Sequence, residues 1–268
     1  VLTDSHCHLA SHRFDAAEVP GLVERAKQAG VTRMVSLVTG LNDLHANLDI
    51  AAAHPEVSIC IGIHPCHVHE APDDVIERLR PHVSDPRVCG IGETGLDYYH
   101  PAPEGWTEDS FRQRQRDLLE AHFELAADAG LNVVIHTRDT SGDASFQDAL
   151  AIYRRHADRA RAVFHCFIGP EHNAREVIGL GGLVSFGGVT TFKNAAEVLA
   201  TAVALPAGGF MLETDSPYLA PVPFRGKRNE PSYVRHVADH LAACRGESPD
   251  ALAAETSAAA ARFFRFAR

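Results

Sequence analysis

The chain has no C-x-x-C pair, no apolar run near the roughly 20 residues of a membrane span, and no basic segment leading into an apolar core near its start. Its six cysteines, Cys7, Cys60, Cys66, Cys89, Cys166 and Cys244, are scattered, and Cys7, Cys60 and Cys89 fall inside runs that read as strands. That usage points to buried reduced thiols and excludes a disulfide framework. The other two absences point to a cytoplasmic protein without a membrane partner, and no segment marks an obligate protein partner. Cationic charge is also scarce. Twenty-five Lys and Arg against 35 Asp and Glu give a net charge of −10 and a pI near 5.9. A surface that grips long nucleic acid by counterion release is thereby excluded, whereas a negatively charged substrate is compatible if metal ions set the local field.

No Pro/Ser-rich linker or shift in composition divides the 268 residues, so residues 1–268 read as one domain. At 45% hydrophobic the chain can bury one large core, and a single α/β barrel needs roughly 250 residues. Short β-branched runs alternate with longer helical patterns throughout. Eight strands are predicted: Leu2 to His8, Arg33 to Thr39, Ser58 to His64, Val88 to Glu93, Val133 to His136, Ala162 to His165, Leu183 to Phe186 and Phe210 to Glu213. Helices are predicted over Gly21 to Ala29, Leu44 to Ala53, Asp73 to Val83, Ser110 to Ala129, Ala144 to His156, Glu171 to Leu180 and Asn194 to Val203. Another begins at Pro231, and an Ala-rich one over Asp250 to Phe266 brings Phe263, Phe264 and Phe266 to dock. Gly30 and Gly130 are placed as C-terminal caps, Asp109 and Asp143 as N-terminal ones. Strands alternating with helices predict a parallel sheet with right-handed crossovers, closed into a (β/α)₈ TIM barrel with an extra C-terminal helix. An open doubly wound sheet is the alternative. The G-x-G-x-x-G loop that would favour it is missing, since Gly179-Leu180-Gly181-Gly182 leads into a strand.

Ionisable side chains recur where the predicted strands end. His6 and His8 stand on the first strand, two apart, so that both imidazoles share a face while Cys7 points away. His64 ends the third strand, Glu93 the fourth, His136 the fifth and His165 the sixth, and Asp215 follows the eighth. In parallel barrels that rim carries the chemistry. Leaving His64 aside, four His and two carboxylates exceed the roughly three protein ligands of an open catalytic zinc site, and suit two metals bridged by a carboxylate. Glu93, midway in the strand order, is the residue to bridge. Asp215 can ligate one metal while accepting the proton of an attacking water.

Six segments then resemble a known family, the TatD family of metal-dependent hydrolases in the amidohydrolase superfamily. They are D-S-H-C-H-L at Asp4 to Leu9, G-I-H-P at Gly62 to Pro65, G-E-T-G-L-D-Y-Y at Gly92 to Tyr99, I-H-T-R-D at Ile135 to Asp139, H-C-F at His165 to Phe167, and E-T-D-S-P-Y-L-A-P followed by R-G-K-R-N-E-P between Glu213 and Pro231. The resemblance implies that His6, His8 and Asp215 bind one metal, that His136 and His165 bind the other, and that Glu93 bridges them. It implies a divalent-metal-dependent deoxyribonuclease acting as a 3′–5′ exonuclease on single-stranded DNA, with a DNA end as partner. The alternative is hydrolysis of a small-molecule ester, lactone or amide at the same binuclear site. Mixed N/O ligands accept Zn, Mn, Mg or Ni alike.

Around this set, His64 reads as a contact to substrate phosphate or to the metal ligands, with a structural hydrogen bond before Pro65 as the bland reading. Arg138 is placed to neutralise a phosphate oxygen, or else to pair with Asp139 or Asp143. Arg225, Lys227 and Arg228 form the densest basic cluster, on a loop kept extended by Pro217, Pro221 and Pro223, and read as phosphate contacts. Tyr98, Tyr99, Phe186, Phe192 and Tyr218 offer base-stacking surface or core packing. Alternation turns Cys7 and Cys166 away from the site. His12, His45, His54, His67, His69, His82, His100 and His122 read as loop or helix-surface residues.

Overall fold

A computed structural model describes residues 1–206 and 208–266. Eight parallel strands follow one another in chain order: β1 (Leu2–Cys7), β2 (Val31–Leu37), β3 (Val57–Ile61), β4 (Val88–Tyr98), β5 (Val133–Asp139), β6 (Ala162–Phe164), β7 (Leu183–Phe186) and β8 (Phe210–Leu212). Helices α1 (Val19–Gln28), α2 (Leu41–Ala53), α3 (Val75–Leu79), α4 (Glu108–Ala129), α5 (Ala144–His156), α6 (Glu171–Gly179) and α7 (Ala196–Ala204) connect them, and α8 (Val234–Arg245) and α9 (Pro249–Phe263) follow. This is the (β/α)₈ barrel with an added C-terminal helix. The seam lies between β8 and β1, where Asp215 N donates to His6 O at 2.9 Å and His8 N to Ser216 O at 2.7 Å. Below it the Asp4 carboxylate accepts from Thr214 N at 2.8 Å and Thr214 Oγ1 at 2.6 Å.

Period-two alternation, interrupted at Cys89 by a register shift of β4 against β3, sorts the strand residues between two apolar clusters. Val35, Leu37, Cys60, Cys89, Val134, Val163, Leu183 and Met211 come from seven strands and touch one another, so they fill the barrel's inside. Ile59, Ile91, Val133, Ile135, Phe164 and Phe186 face outward into the helical shell. The inside is stoppered at the strands' N-terminal end by Ala259, Ala260, Phe263 and Phe264. Cys89 O accepts from Arg265 N at 3.0 Å and Phe263 O from Asn132 Nδ2 at 2.5 Å, which pins the tail beneath β4 and β5.

Most deviations from the predicted boundaries have local causes. Pro81 has no N–H to donate, so the helix expected over Asp73 to Val83 is only α3 followed by a 3₁₀ turn, Arg80–His82. Thr107, not Asp109, caps α4, its Oγ1 accepting from Ser110 N at 3.1 Å, and Asp109 lies in the first turn. Asp143 is the N-cap residue of α5 but makes no capping bond there, because Gln147 and Asn173 side chains occupy its carboxylate. Gly130 caps α4 in the left-handed region at φ 63°, as expected. Strand β4 runs five residues past Glu93 and β5 three past His136, paired from Thr94 with Ile135 to Tyr98 with Asp139. Gly95, at φ 138°, permits this close pairing, since a Cβ there would run into the His136 carbonyl. Likewise a Cβ on Gly62 would meet Gly92 Cα at 2.7 Å, so β3 and β4 approach glycine to glycine just below Glu93.

Candidate metal centre

The inward positions that are apolar low in the barrel become imidazoles and carboxylates at its upper mouth. Val134 is followed two residues later by His136, Val163 by His165, and Asp4 by His6 and then His8. Glu93 sits centrally, 2% exposed, and its two oxygens are divided between two groups. Oε2 lies 3.4 Å from both His6 Nε2 and His8 Nε2. Oε1 lies 2.9 Å from His165 Nε2, 3.1 Å from His136 Nδ1 and 3.4 Å from His64 Nε2. Asp215 Oδ1 closes the first group, 3.5 Å from His8 Nε2 and 3.8 Å from His6 Nε2. Its backbone turns to φ 53°, a left-handed conformation that Asp tolerates, just past the end of β8. The structure thus brings all six residues expected at a metal pair into one cluster, with His64 beside them.

The donor chemistry of this cluster fits divalent cations. His6 Nε2 and His8 Nε2 stand 3.2 Å apart, and His136 Nδ1 and His165 Nε2 3.4 Å apart, so at most one proton can serve each nitrogen pair. His6 Nδ1 is buried without a hydrogen-bond partner. Three groupings, His6–His8–Glu93, His6–His165–Asp215 and His64–Glu93–His136, have ligand atoms close enough to hold an ion. Electrostatics without a cation are strained in the same places. Burial pushes the Glu93 carboxyl up, yet the field of His165 and the hydrogen bond from His136 oppose it, and the group is held well below the usual carboxylate range. Burial lowers His165, but the Glu93 charge drives it well above the usual imidazole value. His6 is lowered by burial and by the neighbouring His165. Burial also pulls His64 down to about 4, leaving it neutral. Its Nδ1 accepts from Cys66 N at 3.1 Å, which leaves the N–H on Nε2, toward the cluster.

Two acidic residues without a role in the sequence reading stand behind these imidazoles, Asp97 in hydrogen-bond contact and Glu213 in charge contact only. Asp97 Oδ2 lies 3.1 Å from His136 Nε2, and Glu213 Oε1 lies 3.5 Å from His165 Nδ1. Both carboxylates are locked, Asp97 by Tyr99 N and His100 N at 3.0 and 2.9 Å, and Glu213 by Cys166 N and the Ser185 hydroxyl. Burial pushes Asp97 up, but bonds from His136 and His100 outweigh it and keep its carboxyl below the ordinary range. The signal was spacing: Asp97 shares the inner face of β4 with Glu93, and Glu213 stands two residues before Asp215. A strand expected to stop at Glu93 hid the first.

Above the cluster opens a cavity of about 930 Å³, lined by His8, Glu93, His136, His165 and Asp215 at its floor. Arg138 lies on its wall, stacked on the Tyr99 ring at 3.9 Å. Among the described residues it has no carboxylate within 4.0 Å, since Asp139 is taken by Ser145 and Asp143 by Gln147 and Asn173. Tyr218, 38% exposed, lines the opposite side. The other aromatics expected to stack are not among the lining residues, Tyr99 lying behind Arg138. Tyr98 binds Asp148 and Phe186 is in the core, while Phe192 lies under Arg225.

Several expectations are corrected here. Arg225, Lys227 and Arg228 do not line the cavity. Arg228 pairs with Glu18 at 3.0 Å and lies over Phe14, Arg225 lies 4.0 Å over Phe192, and Lys227 Nζ lies 5.9 Å over the Phe224 ring. The proline-rich loop carries them outward. Cys7 does face away, its thiol donating to Val35 O at 3.3 Å, but Cys166 lines the cavity. Strand β6 ends at Phe164 and Cys166 turns to φ 45°, so alternation does not govern it. His12 and His100 are loop residues, as expected, and with His67 of the 3₁₀ turn Pro65–His67 they line the cavity. His122 is fully buried, accepting from Ile63 N at 3.2 Å and bonding Leu118 O at 2.6 Å through Nδ1.

Comparison with known proteins agrees with this geometry. The family model described as "TatD related DNase" matches residues 3–265. An uncharacterized metal-dependent hydrolase of Escherichia coli K12, YcfH, is 34% identical over 266 residues, covering 98% of this chain and 95% of the relative. A relative from Pantoea vagans named 3′-5′ ssDNA/RNA exonuclease TatD is 32% identical over 272 residues, covering 98% and 99%. The crystal structure of the TatD homologue YjjV from Escherichia coli superposes with a TM-score of 0.87 at 26% identity, covering 98% and 97%. No helix among the described residues is long and apolar enough to cross a membrane. A barrel whose upper mouth gathers imidazoles around one buried glutamate, matched along almost its whole length, makes the chain a member of the TatD family of metal-dependent hydrolases.

Proposed function

We propose that the chain is a two-metal phosphodiesterase that removes nucleotides from the 3′ end of single-stranded DNA, in one domain that needs no protein partner. The observation that carries this reading is the division of the Glu93 carboxylate: Oε2 toward His6 and His8, Oε1 toward His136 and His165. One ion would be held by His6, His8 and Asp215, the second by His136 and His165, with Glu93 between them. Such a pair, when bound, supplies Lewis acidity and lowers the pKa of water. Zn, Mn, Mg or Ni suits these imidazole and carboxylate donors.

The chain's own residues supply the rest. Asp215 Oδ1, at the cavity floor, takes the proton of the water that attacks phosphorus in line. Asp97 fixes which nitrogen of His136 faces inward, and Glu213 places a carboxylate opposite His165 Nδ1. Arg138, held flat by Tyr99, offers a fork of donors to a non-bridging phosphate oxygen. His64 presents its Nε2–H on the same side. Tyr218 gives the terminal base a face to stack on. The P–O3′ bond breaks, and the shortened strand leaves with a new 3′ hydroxyl. A blind cavity on a protein of net charge −10 suits a strand end entering singly better than duplex wrapped on a basic surface.

The Pantoea vagans relative's name supports this choice of bond and polarity. The test is metal-supplemented digestion of linear and circular single-stranded DNA of one sequence, beside an aryl ester and a lactone. Mononucleotides should appear from linear DNA alone. Equal cutting of the circle would overturn the exonuclease reading, and faster turnover of the ester or lactone would favour a small-molecule substrate.

A further inference from the structure

A second cluster of metal-binding side chains stands at the lip of the cavity, outside the set around Glu93. We propose that Cys66, Asp97 and His100 form a separate cation site that takes a borderline-soft divalent ion of the zinc type. Cys66 comes from the 3₁₀ turn Pro65–His67 after β3, Asp97 from the upper end of β4, and His100 from just beyond it. His100 Nδ1 is 3.0 Å from Asp97 Oδ2 and 3.5 Å from Cys66 Sγ, and the three donor atoms lie within 4.8 Å of one another.

Three protein donors of three kinds, all lining the cavity, leave a fourth position open to solvent or substrate, the pattern of an open zinc site. The Cys66 thiol, protonated in its partly buried position, gives its proton to solvent as it takes the ion, and the resulting thiolate together with the Asp97 carboxylate balances a divalent charge. The sulfur donor selects zinc or cobalt over magnesium and manganese, a preference the sulfur-free donors around Glu93 do not share. The buried Asp97 supports both clusters, since its Oδ2 sits between His100 Nδ1 at 3.0 Å and His136 Nε2 at 3.1 Å. Ion capture at the lip therefore draws on the carboxylate that orients His136. The proposal stands independently of the two-ion reading of the lower cluster.

Cobalt(II) titration of the full chain tests it, because a thiolate ligand gives a sulfur-to-cobalt charge-transfer absorption in the near ultraviolet and the lower cluster holds no sulfur. The band should appear in the wild type, vanish in Cys66→Ser, and persist in Cys166→Ser and Cys244→Ser. Cys66→Ser should also bind one equivalent less zinc, with no difference from wild type in manganese. Absence of the band, its survival in Cys66→Ser, or unchanged zinc content in that variant would overturn the site. Ions bound by Cys66→Ser report the lower cluster alone, so the two readings fail separately.

Discussion

The two ends of the barrel are built on one alternation and used for opposite purposes. At the strands' N-terminal end the inward positions are Val, Leu, Cys and Met, closed by Phe263 and Phe264, 2% and 4% exposed. At the C-terminal end the same inward rows carry His6, Glu93, His136 and His165, with nitrogens facing nitrogens and a buried His6 Nδ1 left unpaired. Apolar surface is satisfied by contact with any apolar neighbour, whereas this mouth is satisfied only by something cationic. The comparison teaches that stability is concentrated at one end and chemistry at the other. Substitutions should sort accordingly.

The largest expected effect breaks the upper end. Glu93→Gln should lose bound metal and reduce kcat by about 10³-fold or more, since several kcal/mol of charge stabilisation disappear. Asp215→Asn should lower kcat by about 10²–10⁴-fold through loss of the proton acceptor. Both should keep a thermal midpoint close to wild type once ions are removed. Near wild-type turnover in either variant would refute the assignment. At the lower end, Phe264→Ala should cost about 3–5 kcal/mol of unfolding free energy through lost burial and a cavity, measured by urea denaturation. Turnover and metal content per folded molecule should stay unchanged. A fall in kcat without lost stability would erase the division between the two ends.

His122 belongs to the wall between the ends and sharpens the contrast, because it is a histidine kept for structure. Burial pulls its pKa from 6.5 down to about 4, and the Leu118 carbonyl only partly offsets this. The unfolded chain therefore takes up a proton near pH 6.5 that the folded chain refuses until about pH 4. Its stabilising contribution is complete above pH 6.5 and is lost as pH falls toward 4, by about 3 kcal/mol. His122→Gln should flatten the fall in urea midpoint across that window relative to wild type. Parallel curves for the two proteins would show that His122 titrates normally in the fold.

How much of this was legible in the sequence follows the same division. Strand β7 and helix α5 begin and end where periodicity places them, and the six residues meeting around Glu93 were legible as ionisable groups at strand ends. Alternation and strand order are local properties that a single chain displays. The long β4 was not legible, because Gly92-Glu93-Thr94-Gly95 reads as a turn unless the close approach of β5 is known. Asp97 was lost with it. The basic loop misled for the opposite reason: charge density along the chain does not say which way a loop points, and Arg228 turned out to clamp Glu18. His122 was misread as surface because one buried face of α4 becomes visible only once Ile63 is packed on it.

Finer effects test the groups that support the upper end. Asp97→Asn removes the charge opposite His136 Nε2 while keeping its shape, and should weaken metal binding or lower activity by about 10–100-fold. A smaller loss than in Glu93→Gln, with the fold unchanged, is the signature of a positioning residue. Wild-type metal affinity in Asp97→Asn would remove it from that role.

The smallest contrast is between two arginines. Arg138 lies on the cavity wall, stacked on Tyr99 and without a carboxylate partner among the described residues, so its guanidinium is available to substrate. Arg228 is committed to Glu18 on the outer surface. Loss of one charge-assisted contact to phosphate is worth about 1.5–3 kcal/mol, so Arg138→Ala should raise KM for a DNA end roughly tenfold or more. Arg228→Ala should leave KM unchanged, because neither partner of the pair it breaks lines the cavity and both are screened by solvent. Raising the salt concentration should narrow the gap between Arg138→Ala and wild type and leave Arg228→Ala where it was. If Arg228→Ala instead raises KM in a salt-dependent way while Arg138→Ala does not, the DNA path runs over the proline-rich loop, and the strand end enters from the side of Tyr218 instead of Tyr99.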